Sequence, residues 1–332
     1  MTSVPLKPRR GSGTGGPSRV AILRRELSEW RIIDLIGYAG AWIAGTMLAL
    51  IAFGLLAFLA VKGVSYLSLD LVASRPEPGI DQSQTGGILD PVIGTLLMIL
   101  IGTAWALPLG VGAALWVVEY GKGRRLARAV ESAIEVVAGM PSIVIAIFGL
   151  AISQMGFMGL FSITAEGGAV FGRSFLIAGT AMSLIALPLI FSATREGLLT
   201  VPNHIREASY ALGKTQAATI RRVLLPSVRS NIGTGTALGM GRIAGDTAII
   251  VILLGATLRI QPAENAPPLV DLLRGTGSTL TSYVYNNSPA GEGNAPDKAY
   301  AAGFVLLVIV LLLNFAISAV LQRRGKGQEL TR

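Results

Sequence analysis

Cysteine is absent from the 332 residues, and histidine occurs once, at His204. Disulfide bonds and thiolate metal sites are therefore excluded, and a single imidazole cannot build a histidine cluster. Charged residues are scarce too, at 14% of the chain against about 25% in an ordinary soluble domain. Hydrophobic residues reach 52%. This balance predicts a protein that lies in a lipid membrane.

Long apolar runs divide the chain into candidate membrane spans. A helix needs about 20 residues to cross a hydrocarbon core of about 30 Å. The six candidate segments are 39–61, 91–118, 136–165, 174–194, 230–258 and 299–322. Two charged residues, Arg242 and Asp246, lie in the fifth segment. We expect an all-α membrane protein with six transmembrane helices.

Lysine and arginine are distributed unevenly among the predicted loops. Most of those outside the spans lie in residues 1–35, 119–130, 195–229 and 322–332. The alternate loops hold few, so the positive-inside rule predicts that both termini are cytoplasmic. Because topology accounts for most of the net charge of +9, we do not expect nucleic acid as a partner.

The two ends of the chain differ in composition from its middle. Residues 1–30 are basic and rich in Gly, Ser and Pro, with no apolar core before a small-residue cleavage site. They predict a disordered cytoplasmic tail and not a signal peptide. Residues 31–325 form the predicted transmembrane domain, and residues 326–332 form a second cytoplasmic tail.

The most informative loop is residues 202–226, which we name the helix-turn-helix segment. Pro202 and Asn203 favour a helix start, and Gly213 favours a helix end. A second, basic helix of about ten residues is predicted to reach Pro226. By its charge alone, the segment could equally be an amphipathic linker with solvated side chains.

The spacing in this segment resembles the coupling motif of type I ABC importer permeases. The motif has Glu-Ala-Ala, three residues, Gly, nine residues, an aliphatic residue, one further residue and Leu-Pro. Here it falls on Glu207, Ala208, Ser209, Gly213, Val223, Leu225 and Pro226. Only Ser209 departs from it. The resemblance implies that these residues dock on a cytoplasmic ATPase and transmit its closure to the spans.

The same loop contains a partial match to a nucleotide-binding motif. Gly213, Lys214 and Thr215 are similar to the end of a phosphate-binding loop, but Ala208 stands where that loop needs a glycine. We therefore expect ATP and Mg on a partner ATPase and no cofactor on this chain. No catalytic or metal-ligating constellation is evident, so we do not expect an enzyme.

Within that family, the chain resembles the phosphate-specific transport (Pst) permeases over about residues 86–258. The matching stretches are Ala106-Leu107-Pro108-Leu109-Gly110 with Glu119-Tyr120, Ala138-Gly139-Met140-Pro141-Ser142, and Arg242-Ile243-Ala244-Gly245-Asp246-Thr247. The family pattern has Glu where Asp246 stands, and Ser192-Ala193-Thr194-Arg195-Glu196 is closer to the sister subunit of the pair. The resemblance implies a bacterial inner-membrane, multi-pass protein surrounded by lipid. It also implies four partners: a second permease subunit, a dimeric ATP-binding subunit, an extracytoplasmic phosphate-binding protein, and phosphate itself.

Arg242 and Asp246 also suggest a substrate path on physical grounds. A charge at the centre of a membrane helix costs about 2.5 to 3.5 kcal/mol on insertion scales, so both should face a partner or a wet cavity. Four residues apart, they should share one helical face and balance each other. We hypothesise that Arg242 donates to phosphate and that Asp246 accepts the proton that phosphate carries and sulfate lacks. A purely structural ion pair is the alternative.

Other residues complete the predicted path or its packing. The resemblance adds Thr247 to the path, and Arg195 is a further candidate at the end of the fourth span. Pro108 and Pro188 each interrupt a span, which is typical of helices that line a cavity. Small-residue spacing favours close helix packing, and it occurs at Gly235, Gly239, Gly241 and Gly245.

Competing functions remain open at this point. A proton-coupled secondary transporter without an ATPase would use Arg242 and Asp246 as a relay, but no inverted repeat is evident. An ABC permease for sulfate or molybdate would keep the same coupling motif. A membrane scaffold without cargo would not need the two interrupted spans.

Overall fold

A computed structural model describes residues 32–77, 86–163, 170–255, 257–262, 267–291, 293 and 295–329. The chain divides into two compact units, residues 1–58 and residues 59–332. Within the described residues, all regular secondary structure is helical, and an isolated bridge pairs Gln261 with Thr276.

The helices follow one another along the chain. They are α1 (Ile32–Ser65), α2 (Leu69–Ala73), α3 (Leu89–Leu115), α4 (Arg125–Gly139), α5 (Ser142–Ser153), α6 (Phe175–Thr200), α7 (Asn203–Ala211), α8 (Gln216–Thr219), α9 (Leu225–Ser227), α10 (Arg229–Gly245), α11 (Ala248–Leu253), α12 (Pro268–Arg274), α13 (Leu280–Asn287) and α14 (Pro296–Glu329). A π-helical stretch, Trp116–Tyr120, extends α3, and a second, Ile220–Leu224, joins α8 to α9. A 3-10 helix covers Gly156–Leu160.

The first unit contains most of α1. This helix is apolar over nearly its whole length and carries one acidic residue, Asp34, in its first turn. Near its start, the rings of Tyr38 and Trp42 meet edge-on with their centroids 6.2 Å apart. Aromatic residues at a span end are typical of the membrane interface.

Four helices are long and apolar enough to cross a membrane in the part of the chain that the structure describes. They are Asp34–Ser65, Leu89–Tyr120, Phe175–Thr200 and Pro296–Ala319. The bent pair α4 and α5 raises the number to five if it crosses as one span. The chain is thus a multi-pass membrane protein, and its described residues contain four or five such spans where six are predicted.

The predicted span at 136–165 is broken. Helices α4 and α5 meet at an angle of 103°, and the break falls at Met140 and Pro141, whose backbones are extended. Proline disfavours the helical conformation of the residue before it, which ends α4 one residue before Met140. The apolar sequence runs through this break without a polar residue, which is why its hydropathy predicts one continuous span.

The predicted span at 230–258 is also not a single helix. Helix α10 has 17 residues, fewer than the roughly 20 that cross a hydrocarbon core. It stops at Gly245 because Asp246 is extended, with φ −81° and ψ 130°. The chain resumes as the short helix α11.

The core of the second unit lies between α3, α6 and α10. A Cβ on Gly179 would lie 2.5 Å from Cγ2 of Ile101, and one on Gly102 would lie 2.8 Å from Cδ1 of Ile243. Both distances are too short for real Cβ atoms, so these glycines allow the helices to approach closely. Helices in a membrane associate through such packing, since lipid tails are as apolar as the side chains.

The segment 259–298 is hydrogen-bonded to the start of α3 at two points, one before α12 and one at the first residue of α13. Asp90 of α3 accepts a hydrogen bond from the amide of Ile260 at 3.1 Å, and Thr95 accepts one from the amide of Leu280 at 2.9 Å. Thr279 and Ser282 form a capping box at the start of α13. The segment is therefore an ordered part of the unit over its described residues.

Candidate functional site

The helix-turn-helix segment consists of two short helical arms. Helix α7 follows Pro202, and α8 begins after Thr215, whose hydroxyl accepts a bond from the amide of Ala218 at 3.3 Å. Between the arms, Gly213 has φ +74°, a conformation that glycine adopts without a steric penalty. The second arm continues through the π-helical stretch Ile220–Leu224 to Ser227.

The first arm presents an exposed surface. Glu207 and Ala208 are exposed, and Glu207 makes no hydrogen bond or ion pair to any described residue. Beside them, Tyr210 is 43% and Leu212 78% exposed. An exposed carboxylate is costly against lipid, so this surface requires water or protein beside it.

The second arm is anchored by residues that alternate with the motif positions. Ile220 and Leu224 are buried against Val117 and Leu198, at the ends of α3 and α6. Val223, Leu225 and Pro226 are half-buried, and Leu225 packs against this cluster. Of the motif residues in this arm, Leu225 therefore contributes to the packing, whereas Glu207 and Ala208 of the first arm are exposed.

Ser209 joins the two arms. It is buried, and its hydroxyl lies 2.8 Å from the hydroxyl of Thr219. The one departure from the motif thus finds a buried hydrogen-bond partner in the other arm.

A buried ion pair ties the segment to the end of α3. Nε and Nη2 of Arg206 donate to Oε1 of Glu119 at 3.1 and 2.9 Å, and the two side chains are 8% and 3% exposed. No local pattern in the sequence predicts this pair. Glu119 and Glu207, the residue after Arg206, both lie in motif stretches, but this does not indicate a contact across 87 positions.

Arg242, Asp246 and Thr247 lie at the break between α10 and α11. Oδ1 of Asp246 accepts a hydrogen bond from the amide of Ile249 at 3.0 Å and so caps α11. Asp246 is 6% exposed, whereas Arg242 is exposed. The expected ion pair on one helical face is wrong, because α10 ends at Gly245 and no Arg242–Asp246 pair occurs among the described residues.

Arg195 lies apart from these three residues, in the second half of α6. Its Nε donates to Oε1 of Glu131 on α4 at 2.7 Å, and the side chains are 37% and 25% exposed. A recess of about 240 Å³ adjoins the pair, lined also by Glu135, Ser192 and Glu196. The sequence offered Glu131 no partner, because the two residues are 64 positions apart.

The exposed residues of α10 form one stripe. Ser230, Thr234, Leu238 and Arg242 follow one another at four-residue spacing, and each is exposed. The Thr234 hydroxyl donates to the carbonyl of Ser230, but the guanidinium of Arg242 is costly against lipid, so this face requires water or protein.

Comparison with known proteins agrees with this arrangement. The model of the family described as binding-protein-dependent transport system inner membrane component matches residues 106–326. The chain is 28% identical over 295 residues to the probable ABC transporter permease protein YqgI of Bacillus subtilis, covering 86% of this chain and 94% of that protein. It is 30% identical over 237 residues to the phosphate transport system permease protein PstA 1 of Mycobacterium tuberculosis, covering 71% and 70%. It is also 29% identical over 248 residues to the phosphate transport system permease protein PstC of Xylella fastidiosa, covering 70% and 72%.

Solved structures show the same fold at lower identity. A bacterial alginate ABC transporter chain matches with a TM-score of 0.60 at 16% identity, covering 90% of this chain and 98% of that one. A chain of the MetNI methionine ABC transporter in an inward-facing conformation matches with a TM-score of 0.54 at 17% identity, covering 71% and 95%. The predicted type I ABC importer permease fold is thereby confirmed.

Proposed function

This chain belongs to the family of binding-protein-dependent transport system inner membrane components, as an ABC importer permease of the Pst type, and we propose that it imports inorganic phosphate, driven by ATP on a separate chain. The observation that carries the proposal is the helix-turn-helix segment. Its first arm exposes Glu207, Tyr210 and Leu212, while its second arm is anchored to the spans. A surface that is free on one side and fixed on the other is suited to transmit movement from a docked partner.

The partner for that surface is an ATPase dimer that binds ATP and Mg. Glu207 supplies the charge for pairing with a basic residue, and the neighbouring apolar side chains supply the contact area. The segment and the basic loops then lie on the cytoplasmic side, as do both termini, in a bacterial inner membrane. The relatives named PstA and PstC occur as subunits of phosphate transport systems, which supports a second permease subunit beside this one.

The break between α10 and α11 is the proposed phosphate contact. Arg242 offers planar donors to the anion. Because Oδ1 of Asp246 is engaged by the amide of Ile249, Oδ2 can accept the proton of hydrogen phosphate, and the hydroxyl of Thr247 is adjacent in sequence. Arg195 gives a second cationic position nearer the end of α6. A fully ionised oxyanion lacks the proton that Asp246 would accept, so sulfate should be excluded.

An extracytoplasmic phosphate-binding protein completes the proposed assembly. The alginate transporter structure contains a substrate-bound periplasmic protein, which is the arrangement that we propose here for phosphate. The ordered helices α12 and α13 lie in the loop predicted to face that side.

The test is purification followed by transport. The chain is expressed with its genomic neighbours, isolated by a tag, and examined for a retained ATPase and for ATP-dependent uptake of radiolabelled phosphate into vesicles. We expect Glu207→Arg to lose the ATPase, and Asp70→Asn, at an exposed acid on α2, to keep it. Uptake that continues with nucleotide depleted would instead support a secondary transporter.

Competition assays address the anion. We expect unlabelled phosphate to suppress uptake and sulfate or molybdate to leave it unchanged. We further expect Arg242→Gln to abolish uptake while the ATPase is still retained. Preferred uptake of another oxyanion would overturn the phosphate assignment and leave the permease assignment in place.

A further inference from the structure

Arg206 makes four hydrogen bonds to three places in the fold. Besides its two bonds to Oε1 of Glu119, its Nη1 donates to the carbonyl of Val201 at 2.7 Å and its Nη2 to the carbonyl of Leu198 at 2.9 Å. The carbonyls lie at or just beyond the end of α6, where a helix leaves its last acceptors without partners. Arg206 itself belongs to α7. One side chain therefore connects the first arm of the helix-turn-helix segment to the ends of both α3 and α6.

Glu119 is held from both arms. Its carboxylate binds Arg206 of the first arm, and its backbone carbonyl accepts a bond from Nε2 of Gln216, in the second arm, at 2.9 Å. Trp116–Tyr120 is the π-helical stretch that ends α3. Both arms are thus hydrogen-bonded to the end of α3 at one residue, Glu119.

The burial of this pair is unusual for a stabilising device. Two buried charges pay a desolvation cost that apolar residues of similar volume avoid, so a buried ion pair is weak evidence for stability. Its geometry fixes position instead, because the planar guanidinium sets the direction of every bond. Removing one partner would leave a charge buried without compensation.

We propose that Arg206 and Glu119 form the rigid link through which the helix-turn-helix segment moves as one body with the ends of α3 and α6. The inference rests on the proposed function, since it concerns how ATPase closure reaches the path. Each of these two helices contains an internal proline, Pro108 in α3 and Pro188 in α6. Proline removes a backbone hydrogen bond and allows a helix to bend, so a displacement of the helix end can be converted into bending within the span. Arg206 and Glu119 are positioning residues and do not touch the substrate.

The experiment measures coupling in the complete transporter reconstituted in vesicles. Phosphate uptake is divided by the ATP hydrolysed in the same vesicles, so a variant obtained in low yield still gives a readable ratio. We expect Arg206→Lys, which keeps the charge but not the fork, and Glu119→Gln to retain the ATPase and to lower the ratio about tenfold or more. Arg125→Gln, at an exposed arginine at the start of α4, should leave the ratio unchanged.

A double variant distinguishes a pair that transmits movement from one that only stabilises the structure. Arg206→Met with Glu119→Leu buries no charge and should assemble, yet it lacks the bonds to Val201 and Leu198. We expect it to be uncoupled like Arg206→Lys. Normal ratios in the double variant or in Arg206→Lys would overturn the inference while the proposed function stands. Absence of ATP-dependent uptake in the unmodified complex would instead overturn the proposed function.

Discussion

The side-chain hydroxyls of Ser209 and Thr219 lie 2.8 Å apart, in the two arms of the helix-turn-helix segment. Both residues are buried. The motif of the family has alanine at position 209, where no such bond is possible. The serine therefore adds a hydrogen bond between the arms without changing the exposed surface around Glu207.

Removing one hydroxyl should cost more than removing both. In Ser209→Ala the Thr219 hydroxyl stays buried without its partner, which costs about 1 to 3 kcal/mol, whereas Ser209→Ala with Thr219→Val removes donor and acceptor together and should be nearly neutral. Thermal unfolding of the purified protein in detergent measures the difference. A double variant less stable than Ser209→Ala would show that the hydrogen bond is not what the hydroxyls contribute.

The glycines of α10 should respond differently according to their neighbours. A Cβ on Gly235 would lie 2.9 Å from Cβ of Ala193 and 3.0 Å from Cα of Ile190, whereas one on Gly241 would meet nothing within 4 Å. We expect Gly235→Ala to destabilise the protein by about 1 to 3 kcal/mol through overpacking. Gly241→Ala should be neutral or slightly stabilising, because alanine favours a helix by about 1 kcal/mol over glycine.

The thermal midpoint of each variant checks this contrast. Equal midpoints for the two variants would mean that α10 does not approach α6 as closely as the structure shows. The close packing predicted from small-residue spacing thus holds at Gly235, while Gly241 has open space on its Cβ side.

Local signals in the sequence predicted much of the helix-turn-helix segment. Pro202 precedes α7, and Gly213 adopts a positive φ between the arms, because each residue imposes its own backbone preference. Composition likewise indicated the long spans. These properties depend on neighbouring residues, so a single sequence is sufficient to reveal them.

The remaining features depend on contacts between distant residues. Arg206 meets Glu119 across 87 positions and Arg195 meets Glu131 across 64, and no local pattern encodes either distance. The break at Asp246 was hidden for a different reason. Its four-residue spacing from Arg242 fits a continuous helix, whereas the carboxylate in fact caps the next one.

The ion pair between Arg195 and Glu131 allows a role in transport to be separated from one in stability. Because both side chains are partly exposed, the pair should contribute no more than about 1 kcal/mol. We therefore expect Arg195→Gln and Glu131→Gln to unfold at similar temperatures. If Arg195 contacts phosphate, Arg195→Gln alone should reduce uptake, because Glu131→Gln keeps the guanidinium.

Uptake rates at several phosphate concentrations, with the amount of assembled transporter measured in parallel, check this prediction. Equal loss of uptake in both variants would assign the effect to the link between α4 and α6, and would remove Arg195 from the substrate path.

Two substitutions at Asp246 separate its role as a helix cap from its role as a phosphate contact. Asp246→Asn keeps a side-chain oxygen that can accept the amide of Ile249, so the cap of α11 should survive; Asp246→Ala removes it, at a cost of about 0.5 to 2 kcal/mol. We expect both variants to lose phosphate uptake, because neither carries a carboxylate to accept the proton of hydrogen phosphate. Only Asp246→Ala should unfold at a lower temperature. Near-normal uptake by Asp246→Asn would show that the residue serves as a helix cap alone, and the selectivity of the path would then have to come from Arg242 and its neighbours.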